Sequence, residues 1–254
     1  MNTVTSPDGV TIAYERSGSG PALVIVNGAL STKETGAPLA PLLDGDFTLY
    51  RYDRRGRGDS SDAAASMPQD ELRDLAALAA ATGEAPFVFG QSSGAALSLE
   101  AAASGVPVRG LVVHEPPYVP GDATSAQTVS ELAALAADGR RDEAVERFMQ
   151  GSGMPEAMIE QMKVSPAWAG LLALAHTIVY DLRLLNEGVV PAERFGAIDC
   201  RVLGTAGSLS PPWAAASVRA IAEAVPDGEW REVEGQSHNM APDVLAGLLR
   251  ERFL

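Results

Sequence analysis

Short, almost entirely apolar runs alternate with longer amphipathic runs along most of this chain. A short apolar run bounded by turn residues is typical of a central parallel strand, because helices cover both faces of such a strand. The alternation predicts an α/β fold in which a mostly parallel sheet is flanked by helices. At the start of the helix predicted for residues 68–81, Ser66 and Gln69 have the spacing of a capping box. The predicted strands are residues 10–16, 22–26, 47–52, 87–89, 108–113, 200–203 and 229–233, and the predicted helices are residues 68–81, 92–104, 212–224 and 242–253.

One long segment breaks this alternation. Residues 122–195 follow a helical pattern throughout, with no strand-like run between the helices. We therefore predict one core domain made of residues 1–121 and 196–254, with residues 122–195 inserted as a helical lid. A chain of 254 residues, of which 46% are hydrophobic, can bury the core that such a domain needs.

The balance of charge limits what this protein binds. Its 33 acidic and 19 basic residues give a formal net charge of -14, so no basic field attracts nucleic acid or an anionic membrane surface. We expect a small-molecule substrate that is neutral or cationic and rather apolar. Cys200 is the single cysteine, which precludes an intrachain disulfide and predicts a buried structural thiol.

Neither secretion nor membrane insertion is predicted. The amino-terminal residues contain no basic start followed by an apolar stretch, and no apolar segment is long enough to span a bilayer. We therefore expect a cytoplasmic protein that acts as a monomer or homodimer, with no nucleic acid or membrane partner.

Residues 90–94 read G-Q-S-S-G, directly after a predicted strand and directly before an alanine-rich helix. In that setting G-x-S-x-G is the pattern of a nucleophile elbow, a sharp turn that lifts the serine hydroxyl out of the sheet. Gly90 and Gly94 allow neighbouring backbone to pass closely. Ser92 is therefore the candidate nucleophile, and an ordinary serine helix cap is the alternative.

A serine nucleophile needs hydrogen-bond donors for the oxyanion that forms on the attacked carbonyl group. The amide of Ser93 follows the nucleophile at a helix amino terminus and is one candidate. The second is the amide of Ala29, in the turn N-G-A-L after an early strand. Asn27 and Gly28 of the same turn are predicted to contribute to the substrate-binding site.

An alcohol becomes a strong nucleophile only when a neighbouring base accepts its proton. The chain has three histidines, His114, His176 and His238. His238 stands in the loop between the last predicted strand and the last helix, from which it can reach Ser92, and it is the candidate base. His176 lies within the predicted lid, where packing or contact with substrate is expected.

The motifs G-Q-S-S-G, N-G-A-L, D-R-R-G-R-G-D-S and G-Q-S-H each fall where one known family has counterparts. Over nearly its whole length the chain resembles the α/β-hydrolase fold superfamily, in its serine-nucleophile branch with a helical lid. The resemblance implies esterase, lactonase or thioesterase chemistry without metal or other cofactor. The serine at the elbow argues against the haloalkane dehalogenase and epoxide hydrolase branches, which use aspartate. The arginine-rich loop, residues 54–57, is implied to be a structural loop beside the elbow rather than a phosphate site.

The chain departs from the family pattern in two places. Asn27 stands where a histidine is common, and the segment L-G-T-A-G-S, after the first strand beyond the lid, lacks the usual triad carboxylate. We therefore predict that Glu115, at the end of the strand before the lid, orients His238, because sequential strands are usually neighbours. Some family members place their acid there. Asp122 and Asp181 are reserve candidates for this acid.

The lid is predicted to supply apolar contacts to the substrate. Met149, Trp168 and Tyr180, together with His176, are the candidate substrate-binding residues, and core packing is the alternative for each. No histidine and carboxylate spacing fits a zinc site.

Together these residues predict a serine hydrolase that cleaves a small, apolar ester, lactone or thioester through an acyl-enzyme intermediate. Two other functions are compatible with the same fold. One is a non-hydrolytic enzyme of secondary metabolism, a lyase or a cyclase. The other is a catalytically weak protein that binds a small molecule.

Overall fold

An eight-stranded sheet forms the centre of the structure, a computed structural model that describes residues 1–63, 66–119 and 121–254. The sheet order is β1-β2-β4-β3-β5-β6-β7-β8. The six strands from β4 to β8 in this order pair in parallel, whereas β1 and β2 add an antiparallel edge. The predicted mostly parallel α/β sheet is confirmed. The strands are β1 (Asn2–Thr5), β2 (Thr11–Gly18), β3 (Ala22–Val26), β4 (Thr48–Tyr52), β5 (Phe87–Gln91), β6 (Gly110–His114), β7 (Arg201–Gly207) and β8 (Gly228–Val233).

Helices cover both faces of this sheet. Within the described part of the chain, no helix combines the length and the apolar character needed to cross a bilayer. The α-helices are α1 (Ala40–Leu43), α2 (Pro68–Ala81), α3 (Ser93–Ala103), α4 (Ala126–Ala137), α5 (Arg141–Gly151), α6 (Glu156–Lys163), α7 (Trp168–Ala173), α8 (Ile178–Leu184), α9 (Ala192–Phe195), α10 (Pro212–Ala224) and α11 (Pro242–Phe253). Short 3-10 helices span Lys33–Leu39, Asp122–Thr124, Ala175–Thr177 and Asn186–Gly188.

Strand β3 shows how the sheet supplies two separate cores. All five of its residues are buried, and successive side chains of a strand point to opposite faces. Val24 and Val26 belong to one apolar cluster, which includes residues of α2, α3 and the lid helices. Leu23 and Ile25 belong to a second cluster, which includes residues of α1 and α11. This burial explains why the sequence of the strand is apolar throughout.

The segment predicted to be the lid, residues 122–195, lies between β6 and β7 and contains α4 to α9. Its buried side chains, among them Leu132, Val145 and Ile178, join the same apolar cluster as one face of the sheet. The lid is therefore packed against the α/β core through a continuous apolar interior.

The structure differs from the sequence-based expectation at several element ends. β1 was not predicted, because this short edge strand is almost wholly exposed and has no apolar pattern. β7 runs on to Gly207, because its small residues stay buried. The capping box assigned to Ser66 and Gln69 is wrong. The N-cap of α2 is Met67, whose amide donates to the Asp70 carboxylate at 2.9 Å.

Candidate active site

Ser92 occupies the sharp turn between β5 and α3. Its backbone has φ 56° and ψ -127°, a combination that is strained for a residue with a side chain. The two flanking glycines permit this turn. A Cβ built on Gly94 would lie 2.2 Å from the carbonyl oxygen of Val26, and one built on Gly90 would lie 2.7 Å from Cα of Ala95. The geometry is that of a nucleophile elbow.

The imidazole of His238 contacts the carboxylate of Glu115. His238 Nδ1 lies 2.8 Å from Glu115 Oε2, and the other carboxylate oxygen accepts the Gly207 amide at 2.8 Å. Glu115 is completely buried and has φ 47°, which directs its side chain from the end of β6 toward the loop after β8. The carboxylate that contacts His238 thus comes from the end of β6, and the backbone of β7 binds its other oxygen.

The charge state of Glu115 follows from these contacts. Burial alone would raise the pKa of its carboxyl group, but the hydrogen bonds from His238 and from the Gly207 amide outweigh burial and lower that pKa. An ionised carboxylate can only accept, so the proton of a neutral His238 imidazole resides on Nδ1. Its Nε2 atom is then free to accept a proton.

Two side chains bind backbone carbonyl groups of the loop that carries His238. Gln91 Nε2 donates to the carbonyl oxygen of His238 at 2.7 Å. His114, which is fully buried, has its Nε2 atom 3.1 Å from the carbonyl oxygen of Ser237. Sequence reasoning missed both contacts, because each joins residues more than a hundred positions apart in the chain.

Ser92 and His238 are not hydrogen-bonded to each other in the described part of the structure. The Nδ1 side of the ring is held by Glu115, and the ring stands 6.3 Å from that of Trp213 between centroids. Catalytic hydrogen bonds are often long without substrate and tighten in the reacting complex.

The backbone amides of Ala29 and Ser93 belong to the two segments next to Ser92, the turn after β3 and the start of α3. A Cβ built on Gly28 would lie 2.9 Å from Ser92 Cβ and 3.4 Å from its Oγ, so the N-G-A-L turn packs against Ser92. Among the described residues, the amides of Ala29 and Ser93 have no acceptor. The side chain of Asn27 is committed to this turn, since its Nδ2 donates to the Thr32 carbonyl at 3.0 Å. A substrate contact by Asn27 remains a prediction.

The arginine loop carries buried ion pairs beside the elbow. Arg54 binds Glu71 through two hydrogen bonds of 2.7 Å, and Arg55 binds Asp74 in the same manner. Asp181 of the lid lies between Arg54 and Arg57, so this reserve candidate is not the acid that contacts the histidine. The side chain of Asp122, the other reserve candidate, lies outside what the structure describes.

The predicted substrate-binding residues of the lid fall into two groups. Met149 and Trp168 are buried in the lid interior, where the indole nitrogen of Trp168 donates to Asp142 at 2.9 Å. Their burial is what core packing requires, and a substrate-binding role for either remains a prediction.

The other two lid residues lie at the boundary between lid and core. Tyr180 donates to the carboxylate of Asp62 at 3.0 Å, and His176 Nε2 lies 3.5 Å from the same carboxylate. Both side chains are partly exposed. They therefore remain candidates for contact with a substrate.

The site combines a serine on a sharp turn, a histidine with a free Nε2 and two free amides. Such a set can carry out acyl transfer to an alcohol and then to water. The described residues contain no group of three or more His, Cys, Asp or Glu side chains that could hold a metal ion.

Comparison with known proteins identifies the family. The model of the Alpha/beta hydrolase family matches residues 23–248. A pimeloyl-[acyl-carrier protein] methyl ester esterase of Xylella fastidiosa (strain M12) is 30% identical over 234 residues, which cover 85% of this chain and 86% of that protein. The structure of an alpha/beta hydrolase from Sphaerobacter thermophilus is 45% identical, with a TM-score of 0.93 over 100% of both chains. An esterase from Thermogutta terrifontis shares the fold at 18% identity, with a TM-score of 0.76 over 99% of this chain and 97% of that one. The chain belongs to the α/β-hydrolase family.

Proposed function

We propose that this protein is a carboxylic ester hydrolase that uses Ser92 as its nucleophile. The observation that carries the proposal is the strained turn of Ser92 beside two free amides, together with the pairing of His238 and Glu115 at 2.8 Å. Backbone strain of this kind clusters at active sites, where the surrounding structure maintains it. The substrate class is a small, apolar ester, lactone or thioester that is neutral or cationic, in keeping with the net charge of -14.

The first half-reaction makes an acyl-enzyme. His238 Nε2 accepts the proton of the Ser92 hydroxyl as Oγ attacks the carbonyl carbon of the ester. The negative charge that develops on the carbonyl oxygen is met by the amides of Ala29 and Ser93. Glu115 holds the imidazolium. The carbon–oxygen bond to the leaving alcohol then breaks, and the alcohol takes the proton from His238.

The second half-reaction repeats these steps with water. His238 Nε2 accepts a proton from water, and the resulting hydroxide attacks the acyl carbon. The same amides hold the second oxyanion. The bond to Ser92 Oγ breaks, Oγ recovers its proton from His238, and the carboxylic acid leaves. The net reaction is ester plus water to acid plus alcohol.

The family supports ester cleavage as the reaction. The Xylella relative is, by its name, an esterase that acts on a methyl ester, and it is similar over most of its length. Its acyl group is carried on a protein, whereas the acidic surface expected from the net charge of this chain gives no reason to expect an anionic macromolecular substrate.

Pre-steady-state hydrolysis of p-nitrophenyl esters tests the proposal. We expect a burst of p-nitrophenol near one equivalent, which reports the acyl-enzyme, and a loss of turnover on the order of 10³ or more in Ser92→Ala. Ser98→Ala is the matched control. It removes a buried hydroxyl from α3, the helix that follows Ser92, and this hydroxyl binds only the Gly94 carbonyl among the described residues. Turnover that survives Ser92→Ala would contradict the proposal.

A further inference from the structure

A buried carboxylate of the lid lies at the centre of a charged network under the elbow. Asp181 Oδ1 accepts hydrogen bonds from Arg54 Nη1 at 2.7 Å and from the Ser93 hydroxyl at 2.6 Å. Its Oδ2 accepts one from Arg57 Nη2 at 2.8 Å. The side chains of Asp181, Arg54 and Arg57 are at most 2% exposed. Charged groups so deeply buried are costly unless they are paired. Both Asp181 oxygens and both terminal nitrogens of Arg57 have partners, whereas Arg57 Nε has none among the described residues.

Arg57 connects this network to the N-G-A-L turn. Its Nη1 donates to the carbonyl oxygen of Gly28 at 2.7 Å. That carbonyl and the amide of Ala29 belong to one peptide unit, and a trans peptide directs its C=O and N–H in opposite directions within one plane. Because Arg57 fixes the carbonyl on the side of the buried network, the Ala29 N–H is directed away from that network.

The same peptide unit lies next to Ser92, so its N–H is available to an oxyanion formed there. Gly28 stands against the Ser92 side chain, and the Ala29 amide has no acceptor among the described residues. A charge-assisted hydrogen bond on the carbonyl also polarises the peptide unit, which strengthens the amide as a donor. Arg57 therefore bears on both the direction and the strength of this donor.

The same carboxylate reaches the other donor. The hydroxyl of Ser93 binds Asp181 Oδ1, and the backbone amide of Ser93 is the second free amide beside Ser92. One buried carboxylate thus bridges the two chain segments that carry the donors, the turn after β3 through Arg57 and the start of α3 through Ser93.

We propose that Arg57 and Asp181 are positioning residues that set the direction and spacing of the two oxyanion donors, Ala29 and Ser93. The inference rests on the proposed function, because it assigns a role within the same reaction. It gives the lid segment a role in the reaction, since α8 supplies the carboxylate. The lowered pKa of Asp181, which its burial opposes and the charges of Arg57 and Arg54 bring about, keeps this carboxylate ionised.

Arg57→Met and Asp181→Asn test the proposal with p-nitrophenyl esters. Since Arg57→Met frees the Gly28 peptide unit to rotate, we expect kcat to fall on the order of 10²-fold, the lower end of the loss of one oxyanion donor. We expect KM to change little, because the donors act mainly on the transition state. Binding of an alkyl boronic acid, whose tetrahedral adduct places an oxygen in the oxyanion site, should weaken in proportion to kcat/KM.

Arg55→Met is the matched control. Arg55 is equally buried in the same loop and is paired with Asp74. Among the described residues it binds Asp8, Ser66, Asp70 and Asp74, and not the N-G-A-L turn. We expect it to lower thermal stability while kcat stays within about threefold of wild type. Arg57→Lys keeps the charge with a single ammonium group. Its kcat should lie between the values of wild type and Arg57→Met. If Arg57→Met does not fold, Arg57→Lys and the isosteric Asp181→Asn decide by the same kcat and boronic acid readouts.

The outcomes separate this inference from the proposed function. A wild-type protein without Ser92-dependent ester turnover would refute the proposed function. A wild type with that turnover, in which Arg57 and Asp181 variants lose only thermal stability, as the Arg55 variant does, would refute the positioning role alone.

Discussion

Glu115 Oε2 lies 2.8 Å from His238 Nδ1, although the two residues stand 123 positions apart in the chain. The carboxylate comes from the end of β6. The family usually places its acid at the end of β7, and here the Gly207 amide at that position donates a hydrogen bond to Glu115. A Cβ at Gly207 would lie 2.2 Å from the carbonyl oxygen of Gln236. The histidine loop packs where a side chain at this position would stand.

Glu115→Gln tests the role of this carboxylate. An amide keeps the shape but can donate to Nδ1, which favours the wrong imidazole tautomer, and it cannot stabilise the imidazolium. We expect kcat on p-nitrophenyl esters to fall on the order of 10³- to 10⁴-fold with the fold intact. The exposed Glu251→Gln, which breaks only a surface pair with Arg231, should keep wild-type kcat. Near-wild-type turnover in Glu115→Gln would show that another group orients His238.

Gly28→Ala tests the close approach of the turn to the nucleophile. The new methyl group would stand 2.9 Å from Ser92 Cβ, so the turn or the elbow must shift. We expect kcat to fall about 10²-fold, as for loss of an oxyanion donor. In Gly170→Ala, a lid helix position with no atom within 4 Å of the new Cβ, we expect unchanged kcat and a gain in stability of about 0.5–1 kcal/mol. Equal kcat in both variants would contradict the assigned turn.

The buried His114 predicts a pH dependence of stability. Burial, more than the opposing effect of Glu115, lowers its pKa from the ordinary value of 6.5. Between pH 6.5 and that lower value, the unfolded chain binds a proton that the folded chain does not, so the free energy of unfolding decreases as the pH falls through this window. The slope contributed by one such group is at most about 1.4 kcal/mol per pH unit.

Urea unfolding at several pH values from 7.5 to 5 measures this slope. His114→Gln removes the titrating group, so its free energy of unfolding should vary less with pH than that of the wild type, whatever its stability at pH 7.5. Parallel curves for the two proteins would contradict the prediction.

The two groups of lid residues predict different mutant behaviour. Trp168 is buried with its indole nitrogen bound to Asp142, so Trp168→Ala should lower stability by about 3–5 kcal/mol. If Trp168 also contacts the substrate, the preference among acyl chain lengths changes as well. Tyr180 is partly exposed at the boundary with the core, so Tyr180→Ala should alter the relative kcat/KM of acetyl and hexanoyl esters. If Tyr180→Ala lowers only the melting temperature, Tyr180 is a packing residue too.

Most of the fold was predictable from periodicity and turn residues. Strand β3 and helices α2, α10 and α11 have the predicted bounds, because a fully buried strand and an amphipathic helix have strong local patterns. The edge strand β1 was missed, since exposure on both faces removes that pattern. The N-cap of α2 was misplaced by one residue. The Ser66 hydroxyl donates back to the Ala63 carbonyl instead of accepting from the helix, and the Asp70 carboxylate accepts the Met67 amide.

The site was predictable where its residues have local signals, and not where they act across the fold. Ser92 stands in a recognisable strand-turn-helix motif, and Glu115 was reached because the expected acid position lacks a carboxylate. Asp181 pairs with an arginine 124 positions away, and Gln91 holds a backbone carbonyl 147 positions away. One sequence contains no signal for such pairs, which arise only when strand order and lid packing are known.

The measurement that tests the central claim most directly is the labelling of the intact protein by a fluorophosphonate, followed by peptide mapping in a mass spectrometer. Such a probe forms a bond only with a serine that a neighbouring base activates. We predict one adduct per chain, on Ser92, which is absent in Ser92→Ala and forms much more slowly in His238→Asn. An adduct on Ser93 or elsewhere, or no adduct in the folded wild-type protein, would contradict the account.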